Sequence, residues 1–231
     1  MKRLFMMSCA VLAMTVAAHA DWSENFDSYA AGTKLDNVGG WFGWDNVSSA
    51  AGTVSGEFWL SEPNSIGVSN SLGNDAVHPF DPITSGSWVF TGHQYIPSGL
   101  DGETHFILNS VYNHGGPYEW AIEMHMDPGT GMVDERIHGG TTTPIIYDAW
   151  VEIQVAFDLD ADTFEAYYNS VSIASGTWTS ANYPTKAFAN VDLYAPHEEP
   201  VYWDNFSLVP APGVLAMLGI AGLIGVRRRR A

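Results

Sequence analysis

The sequence predicts an all-β fold, an antiparallel β-sandwich or barrel made of many short strands. Three observations predict it. Over residues 150–157, Val151, Ile153, Val155 and Phe157 alternate with polar Glu152 and Gln154, the period of a strand with one buried face. Other runs rich in β-branched and aromatic residues are short and end at clusters of Gly, Pro, Asn and Asp. No segment ahead of the C-terminal tail carries a helical period. Short antiparallel strands with regular turns close their hydrophobic faces on one another as a sandwich or barrel.

In chain order, residues 1–20 read as a secretory signal helix: basic Lys2 and Arg3, an apolar stretch over 4–18, and the small-x-small site Ala18-His19-Ala20. Cys9, the single cysteine, falls inside it. Cleavage after Ala20 therefore leaves a domain without thiols, hence without disulfides or cysteine metal ligands. Residues 21–208 have room for one domain with a substantial core. A first strand carries Trp22, Glu24 and Phe26 on one face. Strands follow at 88–96, 105–112, 118–126, 132–137, 150–157, 163–168, 171–174, 191–194 and 201–208. Their boundaries are turn residues, among them Pro97, Asn113-His114-Gly115-Gly116, Asp127-Pro128-Gly129 and His138-Gly139-Gly140. Residues 209–231 form a tail: Pro210-Ala211-Pro212, an uncharged apolar helix over 214–226, and Arg227, Arg228, Arg229 and Arg230. The apolar helix spans ~20 Å against a hydrocarbon core of ~30 Å. The arginines suit the anionic cytoplasmic face of a membrane.

The formal net charge is −17. All acidic residues lie in 21–208, where Lys34, Arg136 and Lys186 are the only basic ones. Such a surface repels nucleic acid and anionic lipid and excludes both as partners of the domain.

The order of motif, apolar helix and basic cluster in 209–231 resembles the PEP-CTERM sorting signal of Gram-negative bacteria, with Ala211 where that family carries glutamate. The resemblance implies recognition by an exosortase-type enzyme, transient membrane anchorage through 214–226, and delivery to the cell surface. Residues 150–160, 163–169 and 176–178 resemble the strand pair and turn of concanavalin A-like (laminin G-like) jelly rolls. Glu24-Asn25-Phe26-Asp27-Ser28-Tyr29 at the start and Trp203-Asp204-Asn205-Phe206 at the end resemble bacterial surface jelly rolls whose first and last strands lie together. The fold class implied is an antiparallel β-sandwich of jelly-roll type.

Four groups of residues are candidates for chemistry. On a strand, Glu123, His125 and Asp127 share one face at ~7 Å per two residues. Glu123 and Asp127 are thus the carboxylates available to a glycosidase. The segment resembles the strand motif of laminarinase-type hydrolases, with His125 at that family's central aspartate. A polar outer strand face, with Met124 and Met126 inward, is the expected reading. Asp158, Asp160 and Asp162 mimic the start of a calcium loop but lack its later ligands, so a hairpin turn is expected. Trp41, Trp44, Asp45 and Asn46 make a platform on which a sugar ring can stack, or a loop capping one end of the sandwich. The histidines after residue 20 show neither His-x-His nor His-Glu-x-x-His spacing, so no zinc site is expected.

Alternation also places Tyr202, Asp204, Phe206 and Leu208 on one face of the last strand. Glu24 and Asp204 should then both point inward from neighbouring strands, and a structural calcium between them would satisfy both. The function expected is that of an exported, surface-sorted, non-catalytic jelly-roll protein. It would be a structural or adhesive component of the envelope or exopolysaccharide matrix, with weak glycan binding. A glycoside hydrolase or polysaccharide lyase on the same fold is the alternative.

Overall fold

A computed structural model describes residues 22–211. The signal segment, Pro212, the apolar stretch 214–226 and Arg227, Arg228, Arg229 and Arg230 lie outside the described residues. Two antiparallel sheets form a sandwich. One runs in the order β13 (Val171–Gly176), β12 (Thr163–Tyr168), β11 (Trp150–Asp158), β6 (Ser87–Tyr95), β15 (Val201–Pro210), β4 (Ser65–Val68), β3 (Thr53–Ser55), with β1 (Trp22–Glu24) also on β15. The second runs β10 (Thr143–Pro144), β9 (Met132–Glu135), β8 (Tyr118–Asp127), β7 (Thr104–Tyr112), β14 (Phe188–Tyr194), β5 (Asp75–Ile83), β2 (Phe42–Gly43). Among the described residues the helical content is one 3-10 turn, Trp44–Asn46.

The core between the sheets is aromatic. Phe90 lies 5.8 Å from both Phe106 and Phe188, which come from the facing sheet. Burial in β11 follows the predicted alternation, with Val151, Ile153, Val155 and Phe157 inward. The chain ends pair as expected, Trp22 opposite Leu208 and Glu24 opposite Phe206. The last strand continues past residue 208 to Pro210, and the Ala211 N–H donates to the Ser87 carbonyl at 2.8 Å. The first two residues of the 210–212 motif are therefore joined to the sheet.

Two expectations need correction. Alternation along the last strand breaks at Asn205, whose φ of 49° marks a bulge. Before it, Trp203 lies opposite inward-facing Gln94 and Asp204 opposite His93; after it, Leu208 lies opposite inward-facing Phe90. Phe206 and Leu208 thus point into the sandwich, while Tyr202 and Asp204 point to its outer face. Asp204 stays buried because residues 57–63 fold over it. Its carboxylate accepts the N–H groups of Leu60 (2.7 Å), Ser61 (2.9 Å) and Asn205 (2.7 Å). Glu24 is on the other side of the sheet and accepts the N–H groups of Asn25 and Phe26 and the Tyr29 hydroxyl. Glu24 and Asp204 therefore do not both point inward, as a calcium shared inside the sandwich would need, and each carboxylate already accepts N–H donors.

The second correction concerns Trp41. It is fully buried, packed against Trp22, Phe26, His78 and Phe206. Gly39 and Gly40, both at positive φ, make the turn that sends it inward. A Cβ on Gly40 would come within 2.6 Å of His78 Nε2. The Gly-Gly-Trp segment is a core anchor, and Trp41 cannot stack on a ligand.

Candidate functional site

Strand register decides what the outer face of the second sheet carries. Phe106, Leu108, Ile122, Met124 and Met126 are inward and buried. The residues between them therefore face out: His105 and Ile107 from β7, Glu123 and His125 from β8. Asp134 joins them from β9, opposite His125. Asn190, Asp192 and Tyr194 come from β14, opposite Asn109, Ile107 and His105. The expectation that Glu123, His125 and Asp127 share a face, with Met124 and Met126 inward, agrees with this register.

This outer face is far from a solvated strand surface, because His105, Asn109, His125, Asn190 and Asp192 are all buried on it. It has three parts. At one end are aromatic rings, brought together by β2, the 3-10 turn and the ends of β7 and β8. Trp44 lies 4.7 Å from Tyr112, 4.8 Å from Tyr118 and 6.3 Å, nearly parallel, from Trp120. Tyr183 extends the group to 5.4 Å from Trp120. These rings are half-buried. Asp45 sits among them, in the left-handed conformation at φ 56°. It accepts the Tyr118 hydroxyl at 2.6 Å and the Gly115 N–H at 2.8 Å, which hold its carboxyl below the usual range. Asn46 beside it is exposed.

The middle of the face carries two acids, Asp75 and Asp192, diagonal neighbours across the β5–β14 pair. Burial pushes the Asp75 carboxyl up to about 6. Burial, then the charge of Asp75, raises Asp192 well above the carboxylate range. Asp192 thus keeps its proton beside Asp75.

The far end holds Glu103, His105, Glu123, His125, Asp134 and Arg136. Glu123 is tied to His105 Nδ1 at 2.9 Å. Asp127 is spent on its own turn, accepting the Gly129 N–H at 2.8 Å and the Thr130 hydroxyl at 3.1 Å. The carboxylates of the hydrolase alternative are thus each engaged, one by a histidine and one by a turn. Asp158 likewise makes a turn, accepting the N–H groups of Asp160 and Ala161 and the Ser87 hydroxyl.

Sequence reasoning nominated Trp44, Asp45 and Asn46, of which Trp44 and Asp45 are half-buried and Asn46 is exposed, but it missed their companions. Tyr112, Tyr118 and Trp120 stand at the ends of a predicted hairpin, and only the pairing of β2 with β5 brings Trp44 to them. Asp75, Asp192 and Glu103 had no signal at all, since each is a single acid in an ordinary run.

No family model and no curated protein matches this sequence. Solved structures match its shape. An alginate lyase, Aly36B, superposes with a TM-score of 0.53 over 80% of this chain and 95% of its own, at 15% identity. The carbohydrate recognition domain of Emp47p superposes at 0.50 over 84% and 97%, at 12% identity. A sialidase superposes at 0.53 over 85% of this chain, which spans only 18% of that longer protein, at 6% identity. Identities this low establish the sandwich fold. Lectin-like and carbohydrate-modifying proteins share that fold, and one architecture hosts both.

Proposed function

We propose that this chain is an exported, surface-sorted protein that binds a polysaccharide on the outer face of its second sheet without cleaving it. The observation that carries the reading is the half-buried aromatic group Trp44, Tyr112, Tyr118 and Trp120 beside Asp45 and Asn46. Ring faces take the C–H faces of a sugar, and the flanking carboxylate and amide take its hydroxyls. The fold shared with carbohydrate-recognising proteins supports the same reading. Against a hydrolase or lyase stands the engagement of Glu123 by His105 and of Asp127 by its turn.

The signal segment and the 209–231 tail direct the chain to the envelope of a Gram-negative-type bacterium. An exosortase-type enzyme acts at Pro210-Ala211-Pro212, and the apolar segment 214–226 holds the membrane until then. With its acidic surface, the domain then serves as an adhesive or structural component of the exopolysaccharide matrix. The test is a glycan array on the exported protein with a reducing-sugar release assay on every ligand retained. Retention that Trp44→Ala weakens, without sugar release, is expected. Release of sugar ends, or retention indifferent to Trp44→Ala and Trp120→Ala, would overturn the reading.

A further inference from the structure

We infer that the outer face of the second sheet also holds a divalent transition-metal site, fitted to Zn2+, with Glu103, His105 and His125 as ligands. The inference is independent of glycan binding, because the site lies at the opposite end of β7 and β8 from the aromatic group, ~17–23 Å away along the strand.

Topology assembles the three ligands. His105 and His125 are directly opposite in the β7–β8 register, with ring centroids 4.8 Å apart. Glu103 precedes His105 by two residues, and Thr104 between them is buried inward, so both project outward. One oxygen or nitrogen from each of the three lies within 4.8 Å of the others.

The hydrogen bonds orient the donors. His105 Nδ1 meets Glu123 Oε1 at 2.9 Å, and His125 Nδ1 meets Asp134 Oδ1 at 2.8 Å. Each ring thus has a carboxylate behind its Nδ1, the outer-shell arrangement that fixes the tautomer of metal-binding histidines. A neutral imidazole has one N–H. In the tautomer that carries this N–H on Nδ1, each Nε2 faces Glu103 and can offer its lone pair to a cation. His125 Nε2 is 2.8 Å from Glu103 Oε2, and His105 Nε2 is 3.8 Å from Oε1.

The decisive observation is His105 Nε2 itself. The residue is 6% exposed, and this nitrogen is buried with no hydrogen-bond partner. A buried acceptor without a donor is costly, and here it is aimed at a carboxylate that can donate nothing. A cation among the three atoms removes the conflict. Ligand atoms on tetrahedral zinc lie ~3.3 Å apart, so the cluster must tighten. Glu103, with its side chain 49% exposed, is free to move inward. Arg136 Nη2 lies 2.7 and 2.9 Å from the nitrogens of His125 and must withdraw toward Asp134, already 3.6 Å from its Nε. Glu103, Glu123, Asp134 and Arg136 together carry a formal charge of −2, which a dication balances. Two histidines and one carboxylate leave the fourth position to water.

The test is zinc titration by calorimetry on the full exported chain, untagged and stripped with chelator, with cobalt(II) absorption as an independent readout. One equivalent of zinc, a tetrahedral cobalt spectrum and a raised unfolding temperature are expected. Glu123→Gln, which keeps the ligands but weakens the grip on His105, should cost 10–100-fold in affinity. Glu103→Gln, at a half-exposed position that folding tolerates, should abolish the cobalt spectrum. No stoichiometric binding by the wild-type chain would overturn the inference, as would binding that survives Glu103→Gln and His125→Asn unchanged.

Discussion

Replacing Asp75 by asparagine should stabilise the protein at neutral pH and leave it unchanged in acid. In the folded state burial raises the Asp75 carboxyl from 3.8 to about 6. A raised carboxyl is least costly below its unfolded value. Its contribution to stability is lost as pH climbs from about 4 through about 6, because the unfolded chain releases the proton first. At about 1.4 kcal/mol per pH unit, the interval is worth about 3 kcal/mol at pH 7. Asparagine has the same shape and never ionises. It also removes the charge that helps to raise Asp192, so relief there adds in the same direction. His78 provides a check of opposite sign. Burial among Trp22, Trp41 and Phe80 lowers its imidazole from 6.5 to about 4. The stability it contributes is therefore complete above pH 6.5 and lost as pH falls toward 4, again by roughly 3 kcal/mol. In the wild type the two slopes oppose each other across nearly the same window. Urea unfolding at intervals between pH 4 and 7 should then show a difference between Asp75→Asn and wild type that grows from near zero to about 3 kcal/mol. A mutant less stable than wild type at pH 7, or a difference that does not change with pH, would refute the reasoning.

Trp41→Ala should cost about 3–5 kcal/mol in denaturant unfolding, as for a large aromatic lost from a core, and leave glycan retention by the folded fraction intact. Trp44→Ala should do the reverse, weakening retention while lowering stability by less. Asp204→Ala should destabilise by about 2–3 kcal/mol, since it strands the N–H groups of Leu60, Ser61 and Asn205 under the 57–63 loop. Because those donors already satisfy Asp204, calcium or EGTA should leave the unfolding temperature of a Glu103→Gln chain unmoved. Intact mass of the shed protein should place its end within residues 210–213, and a shed form retaining Arg227, Arg228, Arg229 and Arg230 would defeat the sorting reading.

What the sequence reveals here depends on how local the cause is. The alternation in 150–157 is visible because β11 has one face on the core and one toward solvent, so each residue reports its own environment. The strand Asp75–Ile83 is hidden by Pro79 and Pro82, which argue against a paired strand. Both are tolerated because β2 pairs only with Val77 and Ala76, leaving the rest of that edge open, where no N–H is required. The Asn205 bulge is hidden for another reason. One residue in the left-handed conformation inverts every side chain on one side of it, and Asn is compatible with that conformation without announcing it.

The same distinction separates the two ends of the outer face. Trp44, Asp45 and Asn46 are adjacent in sequence, so a reader of the chain can nominate them together; only their partners Tyr112, Tyr118 and Trp120 wait for the sheet. The metal ligands have no such adjacency. A search for His-x-His or His-Glu-x-x-His assumes that one strand or one helix presents both histidines. Here each strand gives one, twenty positions apart, and a hairpin with bulges near Leu108 and Asn109 sets them opposite each other. Shifting that register by one residue would turn His125 inward, opposite Thr104, and put Met124 beside His105. The inward burial of Ile122, Met124 and Met126 forbids the shift, since it would expose three apolar side chains at ~2 kcal/mol each. The hydrophobic core therefore fixes the histidine pair. A pattern of apolar residues that carries no chemistry of its own decides where the chemistry of this face can be.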